Sequence, residues 1–362
     1  MSKNTPKDIK KLASKIILRA AMKYRIAPYE VTAAQFWAVA NGELTDWDMR
    51  KVGGASNFRA EEFPVPKGMT ISDVYHPKKF VAQTTKLHGF NTHVVSASEL
   101  FKTADLKGND IFRMIVQPDT HVEEHDHATL NAFIKFVEWY QPHGLINLGD
   151  FMEMDAVSHW PAKDTRPRRL VPQIQTGIEI LSRIKEAAGK QCAFWRFIIG
   201  NHEDWLNQYL TARIPEVLDG LSELGHDLTV EGLLKLDEFG YKVIPNNEIL
   251  RIGEHCHFIH GYYTCNAHAK KHLDVFGVNV YYGHLHDVQG TSTVSVNGVH
   301  EAMSLGCLRS MDAAFLRGKP NNWSHSFGIF EFRSDGSFTR YVPIIIGGKF
   351  SFDGKLFDGN VA

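Results

Sequence analysis

Three histidines, His260, His284 and His286, each stand just past a short apolar run that breaks off at small or polar residues. The run 257–259 leads into His260-Gly261, and 278–282 leads into Gly283-His284-Leu285-His286. An apolar run ending so abruptly predicts a buried strand that delivers side chains to a loop at its C-terminal edge. One such histidine alone reads as a hydrogen-bonded core residue. Three of them from two neighbouring strands read as ligands for a metal ion. Three earlier runs end in the oxygen and nitrogen donors that a divalent cation also takes. Asp119 and His121 follow 111–117, Asp150 follows 145–148, and Asn201 and His202 follow 194–199.

These donors need a scaffold that brings many strand ends to one edge. Amphipathic helices are predicted at 126–140 and 170–188, between the strands 111–117, 145–148 and 194–199. That alternation describes a mostly parallel sheet built from crossover units. Further helices are predicted at 203–212, 215–224 and 266–276. The runs 292–296, 299–305, 326–333 and 337–346 are β-rich, with glycine turns at 298 and 336, and suit the second half of a layered sheet structure. Upstream, Ile9, Leu12, Ala13, Ile16, Ile17 and Ala20 recur at helical spacing. Pro28 breaks that helix, and Asn41-Gly42 ends a second apolar set. Residues 1–60 are therefore expected to form a small basic helical module, either helix-turn-helix-like or a helical cap. The segment 61–108, with Pro64, Pro66 and Pro77, reads as an irregular linker, 109–350 as the main domain, and 351–362 as a C-terminal tail.

In chain order the donors spell a pattern. Asp119-Thr120-His121, Gly149-Asp150, Gly200-Asn201-His202-Glu203, His260 and Gly283-His284-Leu285-His286 resemble the calcineurin-like metallophosphoesterases, over about residues 111–350. The resemblance implies an α/β fold, a layered αββα metallophosphoesterase sandwich. It also implies two divalent metal ions, with Asp119, His121, Asp150 and His286 around one, and Asp150, Asn201, His260 and His284 around the other. Asp150 would be the bridge. A nitrogen and oxygen ligand set without thiolate favours Mn²⁺, Fe or Zn²⁺ over Ca²⁺, Mn²⁺ first. The implied reaction is attack of a metal-bridging hydroxide on phosphorus, with His202 as the general acid or a contact to the phosphoryl group. Glu203 or Asp204 is expected to orient His202. One position departs from the family pattern: Glu153 stands where Asp or Asn is usual, and Asp155 is expected to take over its supporting role. The protein serine/threonine phosphatase branch has an Arg two residues after G-N-H-E. Here Asp204-Trp205 follows instead, so that branch is not expected.

Substrate class is read from charge. Residues 1–60 hold eleven Lys/Arg against five Asp/Glu, while the whole chain has a net charge of −1. Lys163, Arg166, Arg168 and Arg169 form a second basic stretch. Both read as grips for a phosphate backbone or as solvated surface. Together they make a phosphodiesterase or nuclease acting on DNA or RNA the leading reading, with Trp160, Trp205 and Trp323 as candidate stacking surfaces. The alternatives are a small-nucleotide phosphodiesterase or phosphatase with the N-terminal helices as lid or oligomerisation element, and a DNA- or protein-binding module with an auxiliary phosphoesterase body. His268 and His272, four apart on a predicted helix, read as an exposed polar face or a surface metal pair. His125-Asp126-His127 reads as a border of the active site. With 43% hydrophobic and 22% charged residues, the composition is that of a globular protein with a sizeable core. No apolar run is long enough to span a membrane, and no secretory signal is expected. The four cysteines lack a disulfide framework, which predicts reduced thiols and a cytoplasmic setting.

Overall fold

Runs such as 194–199 are too continuously apolar for a strand with one wet face, so packing is required on both sides of the sheet. The computed structural model describes residues 91–158, 169–296, 298–313, 316 and 318–361, together with Ile16 and Ala20. The chain divides into two units, Met1–Leu87 and His88–Ala362. The second unit begins with β1 (Thr92–Val95), α1 (Ala97–Thr103), β2 (Phe112–Gln117), α2 (His127–Tyr140), β3 (Gly144–Asn147), α3 (Leu170–Ala188) and β4 (Phe194–Ile198). Three helices follow, α4 (Asn201–Arg213), α5 (Pro215–Glu223) and α6 (Val230–Leu233). Next come β5 (Lys242–Ile244), β6 (Ile249–Ile252), β7 (Cys256–Ile259), α7 (His268–Phe276), β8 (Asn279–Tyr282), β9 (Gly290–Ser295) and β10 (Gly298–Ser304). The chain closes with β11 (Gly328–Phe332), β12 (Phe338–Tyr341), β13 (Lys349–Phe352) and β14 (Lys355–Asp358).

Two six-stranded mixed sheets result, in the orders β1-β6-β7-β8-β10-β9 and β12-β11-β2-β3-β4-β5. Strands β2, β3, β4 and β5 run parallel to one another, as crossover units require, and so do β7, β8 and β10. The strand period of two assigns alternate side chains to different layers. Met114, Val116, Ile146, Phe194 and Ile198 of one sheet meet Cys256, Phe258 and Tyr281 of the other in a shared inter-sheet core. Their neighbours Ile115, Leu145, Trp195 and Phe197 face the opposite way, into a core with Phe133 and Phe136 of α2 and Ile180, Leu181 and Ile184 of α3. On the outer side of the other sheet, Ile259, Val280 and Tyr282 pack with Leu273 and Phe276 of α7. The layers are therefore helix, sheet, sheet, helix, the αββα sandwich expected from the sequence.

Several boundaries differ from expectation. The segment 61–108 was expected to be an irregular linker, but 92–103 is a strand and a helix. β1 pairs in parallel with β6, and Ser96 caps α1 by a reciprocal capping box with Glu99. Nor is 351–362 a free tail. β13 and β14 form a hairpin across Asp353-Gly354, and Phe350 and Phe357 are buried in the α2 core. Both turn residues have positive φ, 47° and 71°, the conformation a two-residue hairpin demands. Ile16 and Ala20 are helical and buried, as the spacing of 6–25 predicts. The remainder of the 1–60 module lies outside the described residues.

Candidate metal centre

All of the predicted donors leave their strands at the C-terminal edge, and they do so through sharp turns. His121, Asp150, His284 and His286 have φ of 51°, 47°, 70° and 63°, a left-handed conformation that side chains rarely adopt. Backbone hydrogen bonds hold these turns in place. Thr120 and His121 N–H both donate to the Asp150 carbonyl at 3.0 Å, and Leu308 N–H donates to that of Asp119 at 2.7 Å. The buried Glu203 carboxylate accepts the N–H groups of Asp150 (2.9 Å), Met152 (2.8 Å) and Gly200 (3.0 Å), joining the exit of β3 to the first turn of α4. His284 N–H donates to both oxygens of Asp119, at 2.8 and 2.9 Å. Its chain neighbour must be glycine, because a Cβ on Gly283 would lie 2.0 Å from Asp119 Oδ2.

The seven predicted ligands and His202 converge on one place at the seam of the two sheets. The exits of β2, β3 and β4 supply Asp119, His121, Asp150, Asn201 and His202, while the exits of β7 and β8 supply His260, His284 and His286. Three groups have donor atoms within 4.8 Å of one another: Asp119, His121 and His286; His121, Asp150 and His202; and Asp150, His260 and His284. Asp150 and His121 are each shared by two of them. Asp150 Oδ2 lies 3.3 Å from His260 Nε2, 3.8 Å from His202 Nε2 and 4.0 Å from His121 Nε2. Asn201 Oδ1 is 3.0 Å from His260 Nε2, and His286 Nε2 is 3.5 Å from Asp119 Oδ1 and 3.0 Å from His121 Nε2.

Proton positions follow from the outward-facing nitrogens. His260 Nδ1 donates to the Leu148 carbonyl at 2.9 Å, His202 Nδ1 to the Glu153 carbonyl at 2.6 Å, and His121 Nδ1 to the Glu153 carboxylate at 2.7 Å. Each of these rings therefore turns Nε2 toward the centre, the arrangement a metal-binding imidazole needs. Burial lowers the His121 pKa to about 3 and the His284 pKa to about 4, so both are neutral and hold a lone pair. Burial also acts to lower His260, but Asp150 more than reverses this and pushes it up to about 10. Burial acts to raise Asp150, yet His260 and His202 hold its carboxyl well below the usual range. For Asp119, burial acts to raise the carboxyl, but the His286 hydrogen bond and the charges of His260 and His286 together keep it low. With Nδ1–H committed to Leu148, the positive charge that faces Asn201 Oδ1 and the ionised Asp150 Oδ2 is the proton on His260 Nε2. A divalent cation fits the same place, with three acceptors already aimed at it. Among the described residues, the buried Nδ1 atoms of His284 and His286 have no hydrogen-bond partner. These buried His/Asp groups are able to hold metal ions.

Some supporting roles fall to other residues than expected. Asp155 accepts from Gln173 Nε2. Glu153 itself reaches His121, because its longer side chain spans the gap that Asp would leave. Glu203 and Asp204 do not orient His202. Glu203 is occupied by three backbone amides, and Asp204 accepts from Gln208 (2.7 Å) and Asn246 (3.1 Å). His202 is aimed by the Glu153 carbonyl and by the Trp205 ring, whose centroid is 4.0 Å away. Trp323 similarly packs on His286 at 4.5 Å. His268 and His272 are neither an exposed face nor a surface metal pair, because both are buried. His268 binds Asp287 (3.0 Å) and the Tyr282 hydroxyl (2.8 Å), and His272 stacks on the Tyr282 ring. His125 forms a main-chain bridge with Arg309, and Asp126 caps α2. Arg309, which the sequence did not single out, is buried and forms an ion pair with Glu153. No local pattern marks it, since its partner lies more than 150 residues away. Of the basic stretch, Arg169 is exposed at the start of α3, while Lys163, Arg166 and Arg168 lie outside the described residues, as does Trp160.

Among the described residues, no helix is long and apolar enough to cross a membrane. No family model matches the chain. Two curated relatives are the Gene 54 proteins of Mycobacterium phages D29 and L5. Each is 27% identical over 262 residues, which spans 68% of this chain and 98% of the relative. Among solved structures, the chain is similar to a Vps29 single mutant from Entamoeba histolytica, with 13% identity and a TM-score of 0.36, covering 68% of this chain and 98% of that one. It is also similar to TT1561 of Thermus thermophilus, with 7% identity and a TM-score of 0.26, covering 64% and 99%.

Proposed function

We propose that the chain is a phosphoester hydrolase that works with two divalent metal ions, Mn²⁺ foremost, and cleaves phosphodiesters of nucleic acid. The observation that carries this reading is the double membership of Asp150. Its carboxylate faces imidazoles from both sheets and belongs to two of the three donor groups, as a bridging ligand would. When bound, such a pair of ions supplies an activated water and neutralises phosphoryl oxygens. The protein's own part is to hold Asp119, His121, Asn201, His260, His284 and His286 as ligands in a fixed array. His202 stands beside that array with Nδ1–H fixed on Glu153, so the doubly protonated ring would pass its Nε2 proton to the leaving oxygen and keep the one on Nδ1. Trp205 limits its rotation. Nucleic acid as the substrate class is supported by the basic balance of residues 1–60 and by the stretch containing Lys163, Arg166, Arg168 and the exposed Arg169.

The test is an Mn²⁺-supplemented panel of aryl mono- and diesters, cyclic nucleotides, single- and double-stranded DNA, and RNA. Asp150→Asn is expected to lose metal and activity together. Deleting residues 1–60 is expected to spare aryl diester turnover while weakening nucleic-acid binding and flattening its salt dependence. Full activity with a strong chelator present and no metal by elemental analysis overturns the metal-dependent reading. Unchanged nucleic-acid binding after the deletion overturns the role given to the basic segment.

A further inference from the structure

Glu153 is the residue at which the sequence leaves the family pattern, and the structure gives it two contacts to the candidate centre. Its carboxylate accepts Nδ1–H of His121 at 2.7 Å, and its main-chain carbonyl accepts Nδ1–H of His202 at 2.6 Å. One residue therefore sets the tautomer and aim of a proposed ligand and of the proposed acid. Glu153 is in turn held by Arg309. Nη1 bonds Oε2, the oxygen that also serves His121, and Nη2 lies 3.3 Å from Oε1. A guanidinium that engages both carboxylate oxygens fixes the plane of the carboxylate as well as its position.

Arg309 is itself rigidly presented. Its carbonyl accepts Nε2–H of His325 at 2.7 Å, and its chain neighbours Leu308 and Ser310 donate N–H to the carbonyls of Asp119 and Glu124, each at 2.7 Å. The side chain is 3% exposed, and a guanidinium so buried is tolerated only when paired. Electrostatics explains the need for it. Asp119, Asp150 and Glu153 are three carboxylates at one centre, and without a cation beside it Glu153 is free to turn toward a bound metal and compete with His121 for it.

We propose that Arg309 is a positioning residue of this centre, acting through Glu153 to hold His121 and His202 in register. The proposal rests on the metal-dependent reading given above. Its test uses the full chain with Mn²⁺ alone as the calorimetric probe and an aryl phosphodiester as the kinetic one. Arg309→Met and Glu153→Gln are each expected to weaken one Mn²⁺ site by roughly ten- to a hundredfold, the usual effect of losing a partner that orients a ligand. Each is also expected to lower kcat more than KM rises. Arg309→Lys is expected to recover part of both losses. The double variant should lose no more than the weaker-binding single, because both changes break one chain of contacts. Wild-type Mn²⁺ affinity in Arg309→Met, or additive losses in the double variant, overturns the proposal. Should Arg309→Met not fold, Arg309→Lys and Glu153→Gln decide, and wild-type affinity in both overturns it. A wild-type chain that binds no Mn²⁺ refutes the metal-dependent reading itself, a result distinct from two intact sites that ignore Arg309.

Discussion

Replacing Gly283 by alanine tests the tightest contact at the centre. The added Cβ would lie 2.0 Å from Asp119 Oδ2, more than an ångström inside ordinary van der Waals contact. Gly283 is not in a left-handed conformation, so alanine brings no backbone strain and the effect is steric alone. Asp119 has little room to retreat. It is 0% exposed, its two oxygens accept His284 N–H, and its carbonyl accepts Leu308 N–H. Overpacking of about 1–3 kcal/mol and loss of a charged hydrogen bond worth about 1.5–3 kcal/mol together predict a destabilisation of roughly 2.5–6 kcal/mol. Urea unfolding in the presence of chelator measures this without any contribution from metal. The midpoint should fall while the slope stays unchanged. Isothermal titration should show the site nearest Asp119 losing Mn²⁺ affinity and the other retaining more of it. A variant with the wild-type midpoint and wild-type Mn²⁺ affinity refutes the steric argument.

Other consequences are open to similar measurement. His202→Ala should bind Mn²⁺ like the wild type and lose roughly 10²–10⁴ in kcat, the scale of proton transfer by a positioned side chain; loss of metal instead would make His202 a ligand. Burial lowers His257 to about 4 in the fold, against about 6.5 when unfolded. The unfolded chain therefore takes up a proton first as pH falls, and stability is lost from about pH 6.5 down to about 4 by up to about 3 kcal/mol. His257→Asn should flatten the pH dependence of the urea midpoint in that window, and an unchanged slope rejects the assignment. Because the proposed ligands come from both sheets, Mn²⁺ at a hundredfold excess over its Kd should add about 2.7 kcal/mol to stability, read as a rise in the chelator-reversible melting temperature.

Much of the scaffold was legible because periodicity and strand-end chemistry agree. The apolar runs at 111–117, 145–148 and 194–199 alternate with amphipathic helices, and each ends in a donor that has no place inside a strand. Local signals failed where tertiary pairing decides the structure. Thr92–Val95 is too short to declare itself and is a strand because β6 offers an edge. The final hairpin did have a local signal, since Asp353-Gly354 lies between the alternating Phe350 and Phe352 and the apolar Leu356 and Phe357. The supporting contacts were the least legible. His268 and His272 share a helical face, and only the packing of α7 on β8 shows that this face is buried against Tyr282. The Glu153 contacts to His121 and Arg309 join loops distant in sequence, which no spacing rule connects.

The left-handed turns at His121, Asp150, His284 and His286 imply a local conflict between chemistry and folding. Non-glycine residues held there cost on the order of 1 kcal/mol each, so four of them amount to a sizeable fraction of the net stability of an ordinary domain. These loops are frustrated, and the surrounding sheets hold them in a shape they would not adopt alone. Substitutions that relax any one of the turns would make the fold sturdier and the centre poorer. Selection for stability and selection for chemistry therefore pull in opposite directions at these four positions.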